Sequence, residues 1–255
     1  MPVTLDRRGA FAVLTLDRQE ALNALSFAII EEIGERLDSV AVSDARALIV
    51  TGAGEKAFCA GADIKELRNR GQTAQRRGAE LGQAVFAKLD TLPMPSVAVI
   101  NGFAFGGGLE LALACTFRLA TANAKCGLPE VKLGLIPGYG GTQRLPRVVG
   151  EARALEIIMT GRTVEAAEAE RIGLVSAIVE GDPVDAGIRF AEAFSRYSLP
   201  VLALARASVQ RALTLPLHEG LRMEADLSTL AYQTRDAEEG MAAFSEKRRP
   251  VFQDE

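Results

Sequence analysis

The chain has 255 residues, 48% of them hydrophobic and 24% charged, which is enough for one or two domains with a sizeable core. A formal net charge of −4 and a mean hydropathy of +0.12 argue against general nucleic-acid affinity and against a membrane-embedded chain. The longest apolar stretch, Val97 to Leu113, is broken by Asn101, Glu110 and several glycines, so no transmembrane helix is expected.

The N-terminal segment MPVTLDRRGAFAVLTLDR lacks the uninterrupted apolar run of a signal peptide, and a cytoplasmic location is the expectation. Within it, Val3 to Arg7 and Ala10 to Leu16 alternate around Arg8-Gly9, predicting a hairpin. Ser26 is placed to cap an amphipathic helix carrying Ile29, Ile30, Ile33 and Leu37. ALIVTG at 47–52 reads as a buried strand, followed by a short helix near Ile64 to Arg70 and a longer one from about Thr73 to Leu92. Further buried strands are predicted at Val97 to Ile100, between Pro95 and Gly102, and at Phe117 to Ala120. Strand, small-residue turn and helix thus recur, suggesting stacked β-β-α turns without a sequence repeat. From about Arg196 the strand signals stop, and Leu199 to Leu215, Leu217 to Arg235 and Ala237 to Phe244 read as helices. The expected division is an α/β core over 1–195 and a helical subdomain over 196–255. Leu202, Leu204, Leu213, Leu217, Leu221, Leu227 and Leu230 belong to a segment too short for its own core, so their faces are expected between subunits.

Several chemistries are disfavoured by what is missing. The single histidine, His218, sits beside Glu219 without a G-x-S-x-G elbow and reads as a surface or interface residue. Cys59, Cys115 and Cys126 are widely spaced, giving neither a disulfide framework nor a zinc pattern, and read as small core residues. The glycine runs GGGLEL (106–111) and GYGGTQ (138–143) match neither a dinucleotide fingerprint nor a phosphate-binding loop. Arg68, Arg70, Arg76 and Arg77 cluster, which reads as a solvated helix face.

Two glutamates carry the positive signal. Glu110 lies in GGGLELALA and Glu130 in GLPEVKLG; a carboxylate in an apolar run costs several kcal/mol unless it is paired or used, so the two suggest an acid/base pair. Gly106-Gly107-Gly108 opens an apolar, helix-compatible segment, where backbone N–H groups are left without intrahelical partners. Ala60-Gly61-Ala62-Asp63 offers a second such surface before the helix near Ile64. Two backbone donors converging on one thioester carbonyl would form an oxyanion hole.

EKAFCAGADIKEL (55–67), INGFAFGGGLELALACTFRLA (100–120), GLPEVKLGLIPGYGGTQRL (127–145), TGRTVEAAEAERIGLVSAIV (160–179) and EEGMAAFSEKRRPVF (238–252) together resemble the crotonase, or enoyl-CoA hydratase/isomerase, superfamily. The resemblance implies a spiral of β-β-α turns with a helical trimerisation region, assembled as a trimer or dimer of trimers. It implies oxyanion-hole N–H groups at Ala62 and Gly107, and catalytic carboxylates at Glu110 and Glu130. The implied activity is hydration of short- to medium-chain trans-2-enoyl-CoA, with no metal or redox cofactor, since coenzyme A enters with the substrate. The resemblance also implies CoA contacts at Ala60, Ala62, Asp63, Ile64 and Lys65, at the Arg18 to Ala24 segment through Ala21, Leu22 and Ala24, and at Lys247. Gly107 and Pro129 are implied as further substrate contacts, and Gly138 and Gly141 as parts of the loop closing over the acyl end; Tyr139, in that loop, stands where many members carry a small residue, which leaves acyl-chain preference open. An acyl-CoA is the expected partner, with no nucleic acid and no membrane. Double-bond isomerisation, or hydration of a branched or functionalised acyl-CoA, is the alternative chemistry. Some relatives bind RNA, a role the arginine cluster would have to carry.

Overall fold

The computed structural model describes residues 1–255. It opens with an antiparallel hairpin, β1 (Val3–Arg8) and β2 (Phe11–Leu16), turning at Gly9. Ser26 accepts a hydrogen bond from the Ile29 N–H and starts α1 (Phe27–Ala41), which buries Ile29, Ile30, Ile33 and Leu37, as the apolar spacing predicts.

Three turns then alternate between two sheets. The first is β3 (Ala47–Gly52), β4 (Ala57–Cys59), the short α2 (Ile64–Leu67) and the long α3 (Gln72–Thr91). The second is β5 (Ser96–Ile100), β6 (Phe103–Phe105) and α4 (Gly107–Ala114). The third is β7 (Phe117–Thr121), β8 (Lys125–Gly127), a 3-10 turn (Pro129–Leu133), α5 (Gly141–Val149) and α6 (Glu151–Thr160). Two short strands, β9 (Val164–Glu165) and β10 (Ala177–Val179), flank α7 (Ala166–Arg171), and α8 (Pro183–Ala191) follows. The larger sheet has the order β1-β2-β3-β5-β7-β10, parallel beyond the hairpin; the smaller has the order β4-β6-β8-β9.

Strands β3 and β5 were readable because they are buried on both faces and so appear as continuous apolar runs, whereas β1 buries only Val3 and was readable from the alternation around Gly9. One face of the large sheet meets the main core of 44 buried residues; the other carries Phe11, Val13, Ile49, Val97, Val99 and Leu119 against α8, with Phe117, Phe190 and Phe194 in mutual ring contact. The small sheet was not predicted strand by strand. AFC, FAF and KCG are three residues each, too short to display a period, and they pair because successive turns stack them. All three cysteines are buried and unpaired; burial pushes each thiol up to about 12, which makes them inert core residues. His218 is exposed, its Nε2 3.2 Å from Glu219.

The last strand is β10, and α9 (Leu199–Arg211), α10 (Leu217–Ala231) and α11 (Arg235–Ser245) close the chain. Helices α9 and α10 pack on each other, yet neither contains a buried residue; Leu213 between them and Leu217 at the start of α10 are 68% and 78% exposed, so apolar surface stays open in a single chain. No helix is long and apolar enough to cross a membrane.

Candidate active site

The site is built where the second turn of the spiral touches the first and the third. Gly108 docks α4 on β4 at backbone distance: a Cβ there would lie 2.1 Å from the Cys59 carbonyl oxygen. Gly106, at φ +49, precedes the helix, and a Cβ on it would come within 2.9 Å of Glu130 Oε1. Only glycine meets both the left-handed backbone and the space available at Gly106. The N–H groups of Gly107, Gly108 and Leu109 consequently open α4 without intrahelical acceptors.

The second loop is held by a single parallel bridge between Leu25 and Ala62. Leu25 donates to the Gly61 carbonyl at 2.8 Å and accepts from the Asp63 N–H at 2.8 Å. A residue bracketed this way turns its own N–H away from the bridge, which leaves the Ala62 N–H free. Asp63 is occupied structurally: its side chain caps α2 by accepting from the Lys65 N–H, and it pairs with Arg18 at 2.9 Å. The Arg18 bond holds the Asp63 carboxyl below the usual range.

Glu110 is 1% exposed on a helix buried on every side. Its Oε1 accepts from the Tyr139 N–H at 2.8 Å and the Gly141 N–H at 2.7 Å. Burial pushes its pKa up, and those backbone donors, with the nearby Arg144 charge, oppose the shift. Glu130 begins the 3-10 turn behind Pro129. Its Oε2 is buried without a hydrogen-bond partner, and burial, reinforced by the Glu110 charge, raises the carboxyl to about 7. One carboxyl held by two loop N–H groups therefore faces one whose Oε2 has no donor, an asymmetry suited to separate acceptor and donor roles.

Ala62, Gly107, Glu110 and Glu130 line one cavity of about 480 Å³. Its walls also include Phe27, Leu67, Gln75 and Ala79, none of which the sequence analysis singled out, because nothing in the motifs indicates that α1 and α3 converge there. Ala60, Ile64, Pro129, Gly138 and Tyr139 line the same cavity. Leu22 instead borders an adjacent recess with Gln19, Gly54 and Lys56; its carbonyl accepts from the Ala60 N–H at 3.0 Å, which ties the two loops together. Ala21 and Ala24 lie in the same segment and outside the cavity lining, as does the exposed Lys65. Lys247 follows α11, is exposed at φ +56, and lies outside the lining of this cavity. Spacing along the sequence does not reveal which face of the helical region a terminal lysine occupies.

Tyr139 points inward. Its ring is 8% exposed, meets Phe86 edge-on at a 5.8 Å centroid distance, and lies so close to α3 that a Cβ at Gly82 would fall 2.3 Å from it. Burial raises the phenol to about 12, so it is neutral at neutral pH. Because the ring narrows the cavity, Tyr139→Ala is expected to raise kcat/KM for long enoyl chains relative to crotonyl-CoA by roughly tenfold or more, one methylene being worth about 1–3 kcal/mol. An unchanged chain-length profile in a folded variant would contradict this.

A larger apolar recess of about 670 Å³ lies among the C-terminal helices. Its one carboxylate, Asp236, is taken up by the Gln253 and Asp254 N–H groups, so this recess offers packing surface and no acid/base chemistry. In the arginine cluster, Arg70 stacks on Phe27 at 3.9 Å and Arg76 pairs with Glu80 at 2.8 Å.

Two-sheet β-β-α turns closed by a helical C-terminal region define the crotonase fold class. The chain belongs to the enoyl-CoA hydratase/isomerase family, whose model matches residues 6–255. A probable enoyl-CoA hydratase of Rhizobium meliloti is 42% identical over 97% of this chain and 96% of its own. A crotonyl-CoA hydratase of Syntrophomonas wolfei is 40% identical over 98% and 97%. The crystal structure of an enoyl-CoA hydratase from Bacillus anthracis is 39% identical and superposes with a TM-score of 0.94, covering 100% of both chains.

Proposed function

We propose that the protein is an enoyl-CoA hydratase acting on short- to medium-chain trans-2-enoyl-CoA thioesters. The observation that carries the reading is the pair of unlike carboxyls, Glu110 and Glu130, in one cavity with Ala62 and Gly107.

In this reading the thioester oxygen accepts from the Ala62 and Gly107 N–H groups, and each such donor is worth about 2.7–4 kcal/mol when negative charge develops on it. Glu110, ionised and fixed by two backbone bonds, takes a proton from water as the water oxygen bonds to C3. The C2–C3 π electrons move toward the thioester carbonyl, giving an enolate. Its electron pair then forms the C2–H bond with the proton supplied by Glu130. The proton left on Glu110 returns to Glu130 by exchange with solvent before the next hydration, and dehydration runs the same steps in reverse. Retention of both carboxyls supports hydration over double-bond isomerisation, which needs no positioned water. Loss of enoyl absorbance across a panel of linear and branched enoyl-CoAs tests the reading and sets the acyl preference.

The Glu130 carboxyl, raised to about 7, must be protonated for hydration. With rising pH its protonated fraction falls, so hydration kcat/KM should drop about tenfold per pH unit above about 7; dehydration starts with the same single proton on the pair, now on Glu110, and because the reaction takes up no net proton its kcat/KM should fall along the same limb. Parallel alkaline limbs measured in the two directions would bear this out; a flat hydration profile from about pH 6 to 9 would contradict it.

The same reading makes the protein a homo-oligomer, a trimer or a dimer of trimers, in the cytoplasm, with no metal or redox cofactor. Exposed apolar side chains on and between α9 and α10, among them Val209, Leu213, Leu217 and Leu221, support the assembly. Sedimentation at micromolar concentration should show a multiple of 27.2 kDa, and a stable 27.2 kDa species would contradict the assembly.

A further inference from the structure

The two bonds that hold Glu110 come from backbone, in a segment that has little means of holding itself. From Pro137 to Gly141 the chain reads PGYGG, and Gly140 adopts φ +119. Such a segment has wide conformational freedom and one side chain to anchor it. The positions of the Tyr139 and Gly141 N–H groups must therefore be imposed from outside.

Helix α3 supplies that restraint along one face. Gln83 donates to the Gly138 carbonyl at 2.8 Å. Gly82 and Phe86 receive the Tyr139 ring. One turn further, Asp90 accepts a two-pronged bond from Arg144, with Nη1–Oδ1 at 2.8 Å and Nη2–Oδ2 at 2.5 Å. Residues 82, 86 and 90 recur at the four-residue spacing of one helix stripe. Arg144 in turn lies against the loop: its N–H donates to the Gly140 carbonyl at 2.8 Å, and its Nε would sit 3.4 Å from a Cβ on Gly140. The Arg144 charge also favours ionised Glu110.

We infer that Asp90, Arg144 and Gln83 are positioning residues, which clamp the Pro137–Gly141 loop on α3 so that its two N–H groups stay trained on Glu110. The inference rests on Glu110 being the base of the proposed hydration. The planar guanidinium fork matched to a carboxylate fixes distance and angle together, which a lysine in its place would not do. Small displacement of a group that must align with water and substrate is costly: about 1 Å can reduce rate by 10²-fold. The charged and titratable groups around this assembly are Glu130 and the Tyr139 phenol near Glu110, Asp90, Arg118 and Cys115 near Arg144, and Arg206 near Asp90. Arg206, on α9, also donates to the Leu92 and Met94 carbonyls.

The test compares Asp90→Asn, Arg144→Lys, Arg144→Met and Gln83→Leu with wild type and with Arg76→Gln, a control on the exposed part of the same helix. Crotonyl-CoA hydration is followed against pH, and amide hydrogen exchange is read at Tyr139 and Gly141. Expected are kcat losses of roughly tenfold or more in Asp90→Asn and Arg144→Lys, with KM within about twofold, and faster exchange at both amides. In Arg144→Met the acidic limb of kcat should move to higher pH, because Glu110 loses both positive charge and donors, and Arg144→Lys should return the limb toward wild type without restoring kcat. Gln83→Leu deletes an exposed side chain's bond and keeps the test open if the ion-pair variants fail to fold; it should speed exchange and lower kcat to a lesser degree. Folded variants with wild-type kcat, pH profile and exchange would overturn the inference. Absent hydration by the wild type would instead overturn the assignment of function, while the exchange data would still judge the clamp.

Discussion

Glu110→Gln should lower kcat for hydration by about 10² to 10⁴ while the protein folds normally. The amide has nearly the same volume, and its oxygen can still accept from the Tyr139 and Gly141 N–H groups that hold Glu110 Oε1 at 2.8 and 2.7 Å. What is lost is the capacity to take a proton from water. The stability effect should run the other way. Burial raises the Glu110 pKa, and a carboxyl whose folded pKa is raised contributes stability below its unfolded pKa that is lost as pH rises through the folded one. As pH rises the wild type loses that contribution, whereas glutamine ionises at no pH. The variant should therefore melt at or above the wild-type temperature, a separation of activity from stability common at active sites. Wild-type turnover would contradict the role; a large drop in melting temperature would show that structural damage had been measured instead.

Glu130→Gln should produce a loss of the same order, for a different reason that can be measured separately. In the proposed reaction Glu130 exchanges its proton with C2, whereas Glu110 acts on the water bonded at C3. A saturated acyl-CoA such as butyryl-CoA offers a C2 proton and no double bond, so in deuterated water the wild type should wash deuterium into C2 through the enolate held by the Ala62 and Gly107 N–H groups. Glu130→Gln should abolish this exchange. Glu110→Gln should retain much of it, since no water is added. Equal losses of exchange in both variants would contradict the division of labour, even if hydration fell in each.

Different parts of this site were legible in the sequence to different degrees. Glu110 could be singled out because GGGLELALA puts one charge in an apolar helix, and Glu130 because it follows Pro129. Strands β3 and β5 were legible as continuous apolar runs, and α1 through the period of its buried face. The three-residue strands of the small sheet leave none. Nor does any local pattern reveal that Tyr139 would turn inward: between Gly138 and Gly140 its direction depends on Gly82 and Phe86, more than fifty residues earlier in the chain. The Asp90–Arg144 pair was hidden for the same reason, since each residue alone reads as an ordinary helix-surface charge. Lys247 shows the converse, a residue whose motif resembles a ligand contact but which the fold keeps apart from its own chain's cavity.

The central claim is that one cavity adds water across the trans-2 double bond of an acyl-CoA, and isotope placement tests it most directly. Purified protein incubated with crotonyl-CoA in oxygen-18 water should consume the enoyl absorbance and yield 3-hydroxybutyryl-CoA carrying oxygen-18 at C3; in deuterated water it should place one deuterium at C2. Unchanged enoyl absorbance, or conversion to a 3-enoyl isomer without incorporation of oxygen-18, would contradict the account.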